Sequence, residues 1–326
     1  MANILLTGAG FSANWGAPVA AGFFSALLAD AEIQKNQRVH FLLWENRKNF
    51  EDALAQLQKN SIQGLQGYSD YLVIQGAMGR IFERMNTMFR RQDFELPNPD
   101  QTLDQKRTVG MLLSKFDAIF TLNQDLLLEI HYFDKRRFTP SGPIGVLPGM
   151  AATGAADQTP WSGSDWVPST DFSIPNNHQP YFKLHGSTNW RDASGSEIMI
   201  LGGGKDSAIH ASPVLRRYQE IFGEYLKRPG TRLTVIGYSF SDAHIDALLK
   251  EAVENAGLKM YVIDPQGATL AFNKRPYGPN QIGPRFTEFE EWFQKGLYST
   301  STIPLRLLLR DESLDREWLD QFLGGK

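Results

Sequence analysis

A short apolar run, Ile4 to Thr7, stops at Gly8-Ala9-Gly10-Phe11-Ser12-Ala13. Glycines at 8 and 10, between a strand and a helix, let the backbone turn tightly and come close to a diphosphate. A helix N-terminus behind such a loop offers unpaired N–H groups and the positive end of its dipole to an anion. Ala13 stands where the dinucleotide pattern carries its third small residue. A tight turn with no ligand is the alternative for this loop taken alone. Further apolar runs end in polar clusters: Thr121-Leu122-Asn123-Gln124-Asp125, Leu184-His185-Gly186-Ser187 and Gly237-Tyr238-Ser239-Phe240-Ser241. Amide, carboxylate, imidazole and hydroxyl groups gathered at one edge can hold sugar hydroxyls, orient a water and move a proton. Each cluster also has a plainer reading. Asn123, Asp125, Ser239 and Ser241 are good helix caps, and His185 alone reads as a loop histidine. An acidic partner for a ribose usually lies about 20 residues past the glycine loop. Asp30 has that spacing but follows a helical run. Asp264 ends the apolar run Met260 to Ile263 and is the better candidate for an adenosine ribose.

The elements that must position these residues alternate. Strands are expected at Ile4–Thr7, Ala118–Thr121, Tyr181–Leu184, Ile198–Leu201, Leu233–Ile236 and Met260–Ile263. Helices are expected over Val19–Leu28, Leu126–His131, Val214–Lys227 and from Asp242 to Glu254. The fold class is therefore α/β: a Rossmann-like parallel sheet with helices on both faces, strand ends converging on one edge. Between residues 32 and 115 the apolar spacing is helical throughout, around Phe50–Leu57, Tyr71–Phe89 and Leu103–Leu113. This stretch is expected to be a helical insertion within one domain spanning 1–326. Residues 138 to 180 are rich in Pro, Gly, Ser and Asn and read as one long irregular segment, a lid or an assembly surface. The tail carries helical spacing at Glu288–Phe293 and Leu314–Phe322, and a strand candidate at Pro304–Leu309.

Composition narrows the chemistry. Hydrophobic residues make up 42% and aromatics 12% of the chain, enough for a packed core. A net charge of -3 gives no bulk grip on nucleic acid or an anionic membrane, so neither is an expected partner. Without cysteine there is no disulfide, no thiol nucleophile and no cysteine-based zinc site, and no metal is expected. The N-terminal residues lack the pattern of a signal peptide, and no apolar stretch approaches the roughly 20 residues that span a bilayer. A cytoplasmic location is the expectation.

The motifs occur together in an order that resembles the sirtuin (SIR2) superfamily. They are Gly-Ala-Gly-Phe-Ser with Gly16-Ala17-Pro18, Thr-Leu-Asn-Gln-Asp, Lys-Leu-His-Gly-Ser, and Gly-Tyr-Ser-Phe-Ser-Asp-Ala-His-Ile. Within it the chain is similar to the SIR2-like branch of bacterial antiphage defence systems. The resemblance implies that Gly8, Ala9, Gly10 and Ser12 line the diphosphate and ribose of NAD. It implies Asn123 and Asp125 beside the nicotinamide ribose, His185 as catalytic histidine, and Gly237 and Ser239 on the phosphate side. Asp264 stands where sirtuins often carry Asn. Two departures matter: the four-cysteine zinc ribbon of the protein deacylases is absent, and Val19-Ala20-Ala21-Gly22 replaces their aromatic and arginine. The resemblance therefore implies hydrolysis of NAD as substrate rather than deacylation, with Asn123 and His185 as catalytic residues. A deacylase and a non-catalytic NAD- or ADP-ribose-binding subunit are the alternatives. It further implies a homo-oligomer controlled by a separately encoded sensor, such as a HerA-like translocating ATPase or an Argonaute-like protein.

Overall fold

The computed structural model describes residues 2–47, 50–95, 108–134, 144–153, 160–202, 204–274, 286–310 and 313–324. Seven strands form one parallel sheet: β1 (Asn3–Thr7), β2 (Ala118–Thr121), β3 (Ile144–Val146), β6 (His178–Lys183), β9 (Arg232–Ile236), β10 (Lys259–Ile263) and β11 (Leu297–Ser301). Their order is β11-β10-β9-β1-β2-β6-β3. Successive side chains of a strand point to opposite faces. Ile4, Leu5 and Leu6 are each 0% exposed, so both faces of β1 are covered, as the apolar run requires. From β1 the chain moves to β2 on one side, and β9, β10 and β11 fill the other. The switch point lies between β1 and β9, where open α/β sheets place their ligands.

The described residues between 31 and 90 form four helices, Ala31–Lys35, Gln37–Glu45, Phe50–Ser61 and the long Leu65–Arg90, followed after residue 107 by Val109–Leu113. No strand interrupts the described part of 32–115, as its spacing predicts; residues 103–107 of the expected third helix lie outside the described residues. These helices share the core of the sheet. The Trp15 ring stacks on Phe94 at 5.0 Å, and Phe94 stacks on His131 at 5.2 Å. Asp30 caps the helix Ala31–Lys35 and takes two hydrogen bonds from Arg80, a structural task that accounts for it.

The structure departs from the sequence reading in the second half. Pro304–Leu309 is not a strand: Leu305–Arg310 is a helix, and β11 is the strand of the tail. Leu305, Leu308 and Leu309 are buried while Leu307 is 39% exposed, which is helical spacing behind a Pro start. The segment 138–180 is not uniformly irregular among its described residues. It carries β3, β4 (Met150–Ala152), β5 (Trp166–Pro168) and the start of β6. β4 and β5 join β7 (Gly186–Arg191) and β8 (Glu197–Met199) in a second sheet of order β4-β5-β7-β8. β4, β5 and β8 hold three residues each, too few for alternation to register, and β7 opens on a left-handed Gly186 at φ 74°. A short helix, Ala9–Ala13, stands before the expected one, which runs Ala20–Leu28. Among the described residues no helix is long and apolar enough to cross a membrane.

Candidate functional site

Register places the candidate residues. Thr7 pairs with Thr121 and with Ile236, Thr121 with Lys183, and Ile236 with Ile263, so these form one row across the sheet. The ladder runs one residue further: Leu122 N–H donates to Thr7, Leu184 to Thr121, Gly8 to Ile236, Gly237 to Ile263 and Asp264 to Ser301. Asn123 and His185 therefore stand side by side, one step past that edge, next to the glycine loop.

Three glycines lock the switch point. A Cβ on Gly8 would lie 2.6 Å from the Gly237 carbonyl oxygen, one on Gly10 2.7 Å from the Gly237 Cα, and one on Gly237 2.3 Å from the Phe11 nitrogen. Gly237 also sits at φ 65°, where L side chains are strained. The space a side chain would need at Gly8 and Gly10 is thus filled by the Gly237 turn, so both glycines serve the close approach of these two backbones. Gly8 N–H is bonded to Ile236 and Gly10 N–H to Gly237, at 3.0 and 2.9 Å. Behind them the helix Ala20–Leu28 begins with no side-chain cap, and Ala9 is exposed at the rim.

Asn123 is 9% exposed and reaches across to this loop. Its side-chain amide donates to the Gly8 carbonyl and to Ser12 Oγ, both at 3.0 Å. Ser12 in turn hydrogen-bonds the Asp125 carboxylate. Asp125 Oδ1 also accepts from Leu127 N–H at 3.0 Å, so its expected helix-capping role is real. Beneath them lies a fully buried ion pair: Lys183 Nζ donates to Glu129 Oε1 at 2.7 Å and to the Asp125 carbonyl at 2.5 Å. Burial pushes the Asp125 and Glu129 carboxyls up, and Lys183 restrains both.

His185 is 3% exposed. Its Nε2 lies 3.0 Å from Nε2 of His244, on the helix Ala243–Ala256. Its ring also hydrogen-bonds the Leu122 backbone. Burial pushes its imidazole down to about 3, helped by Lys205 and His244 and opposed by Asp242. His185 is therefore neutral at physiological pH, with an unprotonated nitrogen to offer. Burial likewise lowers His244, against Asp242 and Asp206. Lys205 Nζ binds Asp242 Oδ1 at 2.5 Å and Glu51 Oε1 at 3.0 Å. Burial works against the Lys205 ammonium, but these carboxylates outweigh it and raise its value. Burial works to raise Asp242, yet the bonded Lys205 ammonium holds it below the ordinary carboxylate range.

The other candidates bond elsewhere. Ser239 is exposed, with its Oγ 2.9 Å from Ser241 Oγ. The turn between them holds Phe240 at φ 54°, anchored by edge contact with Phe293 at 5.2 Å. Neither serine caps the following helix, whose N-cap is Asp242. The Asp264 carboxylate accepts from Gln266 N–H at 2.8 Å, closing a local turn. A cleft of about 300 Å³ opens between Leu65–Arg90 and the second sheet, lined by Asn86, Arg90, Leu126, Thr188 and Arg191 among others.

A family model described as the SIR2-like domain matches residues 117–280, half of the chain. The chain belongs to the SIR2-like family. Members of this family are NAD-dependent enzymes, which directs the site toward NAD-related function. No curated protein matches the chain. In this SIR2-like chain the matched stretch contains Asn123, Asp125, His185, Gly237, Ser239 and Asp264; the glycine loop precedes it. It also contains Lys183, Lys205, Asp242 and His244, which sequence reasoning left without a role. Lys183 and His244 stand inside the quoted runs Lys-Leu-His-Gly-Ser and Ser-Asp-Ala-His-Ile, so proximity to His185 and to Ser241 was the available signal. Lys205 follows three consecutive glycines and carries no such signal.

Proposed function

We propose that this SIR2-like chain is an NAD+ hydrolase that releases nicotinamide and leaves ADP-ribose. One observation supports the reading most: the bonded series Asn123–Ser12–Asp125 joins the glycine loop of β1 to the end of β2, and His185 follows the neighbouring strand β6 at the same edge. The absence of cysteine removes the zinc ribbon of the deacylases and favours water as the acceptor. In this reading Gly8, Ala9, Gly10, Ser12, Gly237 and Ser239 border the diphosphate and riboses, and Asp264 the adenosine ribose. Asp125 borders the nicotinamide ribose.

Nicotinamide leaves with the electron pair of its bond to ribose C1′, discharging its own positive charge, so no strong general acid is needed. The transition state resembles an oxocarbenium ion, as in glycoside hydrolysis. Water then bonds to C1′ through its oxygen, and its proton passes to a base and on to solvent. Asn123 spends its N–H donors on the glycine loop, which leaves its amide oxygen to orient the water or a ribose hydroxyl. His185 takes the proton: its nitrogen is unprotonated at neutral pH, and attack on a cationic carbon asks little base strength.

Loss of NAD harms the host cell, so such an effector has to be silent until triggered. We place that control in homo-oligomer assembly or in a separate sensor, HerA-like or Argonaute-like, and the setting in antiphage defence in the cytoplasm. The test is NAD+ consumption by the purified chain, alone and with the product of the neighbouring gene, beside His185→Ala. Nicotinamide and ADP-ribose from the wild type only would support the reading. Equal consumption by His185→Ala would overturn the site. Release only with an acyl-lysine peptide would identify a deacylase, and binding without turnover in both conditions a non-catalytic subunit.

A further inference from the structure

We propose that His185, Asp242 and His244 form a binding site for one divalent transition-metal ion of the zinc class. One ligand atom from each lies within 4.8 Å of the others. The two imidazoles supply the decisive geometry. A tetrahedral ion bonded to imidazole nitrogens at about 2.0–2.1 Å holds two of them about 3.3 Å apart. The facing Nε2 atoms of His185 and His244 are 3.0 Å apart.

The other side of each ring explains why the lone pairs face inward. His185 hydrogen-bonds the Leu122 backbone, and a carbonyl only accepts, so the ring nitrogen facing it carries the proton. With Nε2 turned to His244, that nitrogen is Nδ1. His244 Nδ1 lies 3.6 Å from Asp206 Oδ1, beyond hydrogen-bond distance, and the carboxylate's charge favours the tautomer with the proton on that side. In that pair of tautomers the two Nε2 lone pairs face each other at 3.0 Å, and a cation between them relieves the repulsion. Metal-bound histidines are held in this way, with the far N–H given to a carbonyl or a carboxylate.

Asp242 supplies the third ligand. One of its oxygens is bonded to Lys205, whose charge Glu51 shares, and the other is left for the ion. Two imidazoles and a carboxylate suit zinc, cobalt or nickel and leave a fourth position open. Magnesium, which wants oxygen ligands and keeps its waters, is not expected to compete. The ion takes the same Nε2 lone pair that His185 needs as a base, so bound metal should silence NAD+ hydrolysis. That consequence rests on the proposed function; the binding does not.

The test is a Co2+ titration of the full chain after dialysis against a chelator, read by visible absorption of the bound ion. One equivalent should give a tetrahedral-type band that Zn2+ displaces and Mg2+ leaves in place. His244→Ala, checked for cooperative unfolding, should lose the band. The exposed Asp206→Asn should bind about tenfold more weakly, the usual cost of losing an outer-shell partner. If His244→Ala fails to fold, Asp242→Asn takes its place. No band in the wild type, or an undiminished band in these variants, would overturn the site. Zn2+ should stop NAD+ consumption and a chelator restore it. Metal binding by a chain that never consumes NAD+ would leave the site standing and remove the hydrolase reading.

Discussion

The side-chain amide of Asn123 and the hydroxyl of Ser12, 111 positions apart in sequence, meet at 3.0 Å. The bond fastens the end of β2 to the glycine loop of β1 and hands on to Asp125. Asn123 is thereby both a candidate for chemistry and a clamp on the loop that borders the substrate. Asn123→Ala should raise the KM for NAD+ as well as lower kcat. It should also destabilise the fold by about 1–3 kcal/mol, because Ser12 and the Gly8 carbonyl lose a buried donor. Steady-state kinetics and urea unfolding read the two effects separately. A fall in kcat alone, with stability and KM unchanged, would reduce Asn123 to a catalytic group only.

Gly237 tests the lock at the switch point. Gly237→Ala adds a Cβ 2.3 Å from the Phe11 nitrogen, at a φ of 65°. Gly195 has φ 83° with nothing within 4 Å of a Cβ, so its alanine variant carries the backbone strain alone. The expected losses are about 1 kcal/mol for Gly195→Ala and about 3 kcal/mol or more for Gly237→Ala, measured by chemical denaturation. Equal losses would show that the loop and the Gly237 turn can part without cost.

Lys183 is 0% exposed and pairs with Glu129, whose side chain is 4% exposed. Removing one partner strands a buried charge and costs about 3–5 kcal/mol, whereas removing both is often close to neutral. Lys183→Met should therefore be strongly destabilising, and Lys183→Met with Glu129→Leu should recover most of the loss. A double variant as unstable as the single one would mean that the Asp125 carbonyl, not Glu129, is the partner that matters.

His185 gives stability a pH dependence of known sign. Its folded value of about 3 lies below the ordinary histidine value, so between them the unfolded chain binds a proton that the folded chain refuses. Its contribution is intact above the ordinary value of about 6.5 and falls by about 1.4 kcal/mol per pH unit as the pH drops toward 3. Asp125 and Glu129, raised by burial, act in the opposite sense, so wild type must be compared with His185→Ala. The variant should show the shallower decline between pH 6.5 and pH 5. Parallel curves would place His185 in a solvated setting.

The strands of the sheet were legible because burial on both faces writes continuous apolar runs, and their polar ends marked the edge. Asn123, Asp125 and His185 could be proposed because each follows such a run directly. The reason for Gly8 and Gly10 could not be read, since the pressure on both comes from Gly237, far along the chain. His244 was hidden for a similar cause. It lies on a helix, and only the packing of that helix against the end of β6 brings it to His185. The second sheet escaped notice because three-residue strands such as β4, β5 and β8 hold too few side chains to show a period.

The water-acceptor step is read by running NAD+ hydrolysis in oxygen-18 water, with products separated and weighed by mass spectrometry. A hydrolase should give equal amounts of nicotinamide and ADP-ribose, in its triggered state if the chain is silent alone, with one labelled oxygen on the ribose carbon that held nicotinamide. His185→Ala should form neither. Intact NAD+ in every condition, or nicotinamide released only when an acyl-lysine peptide accepts the ribose, would contradict the hydrolase reading.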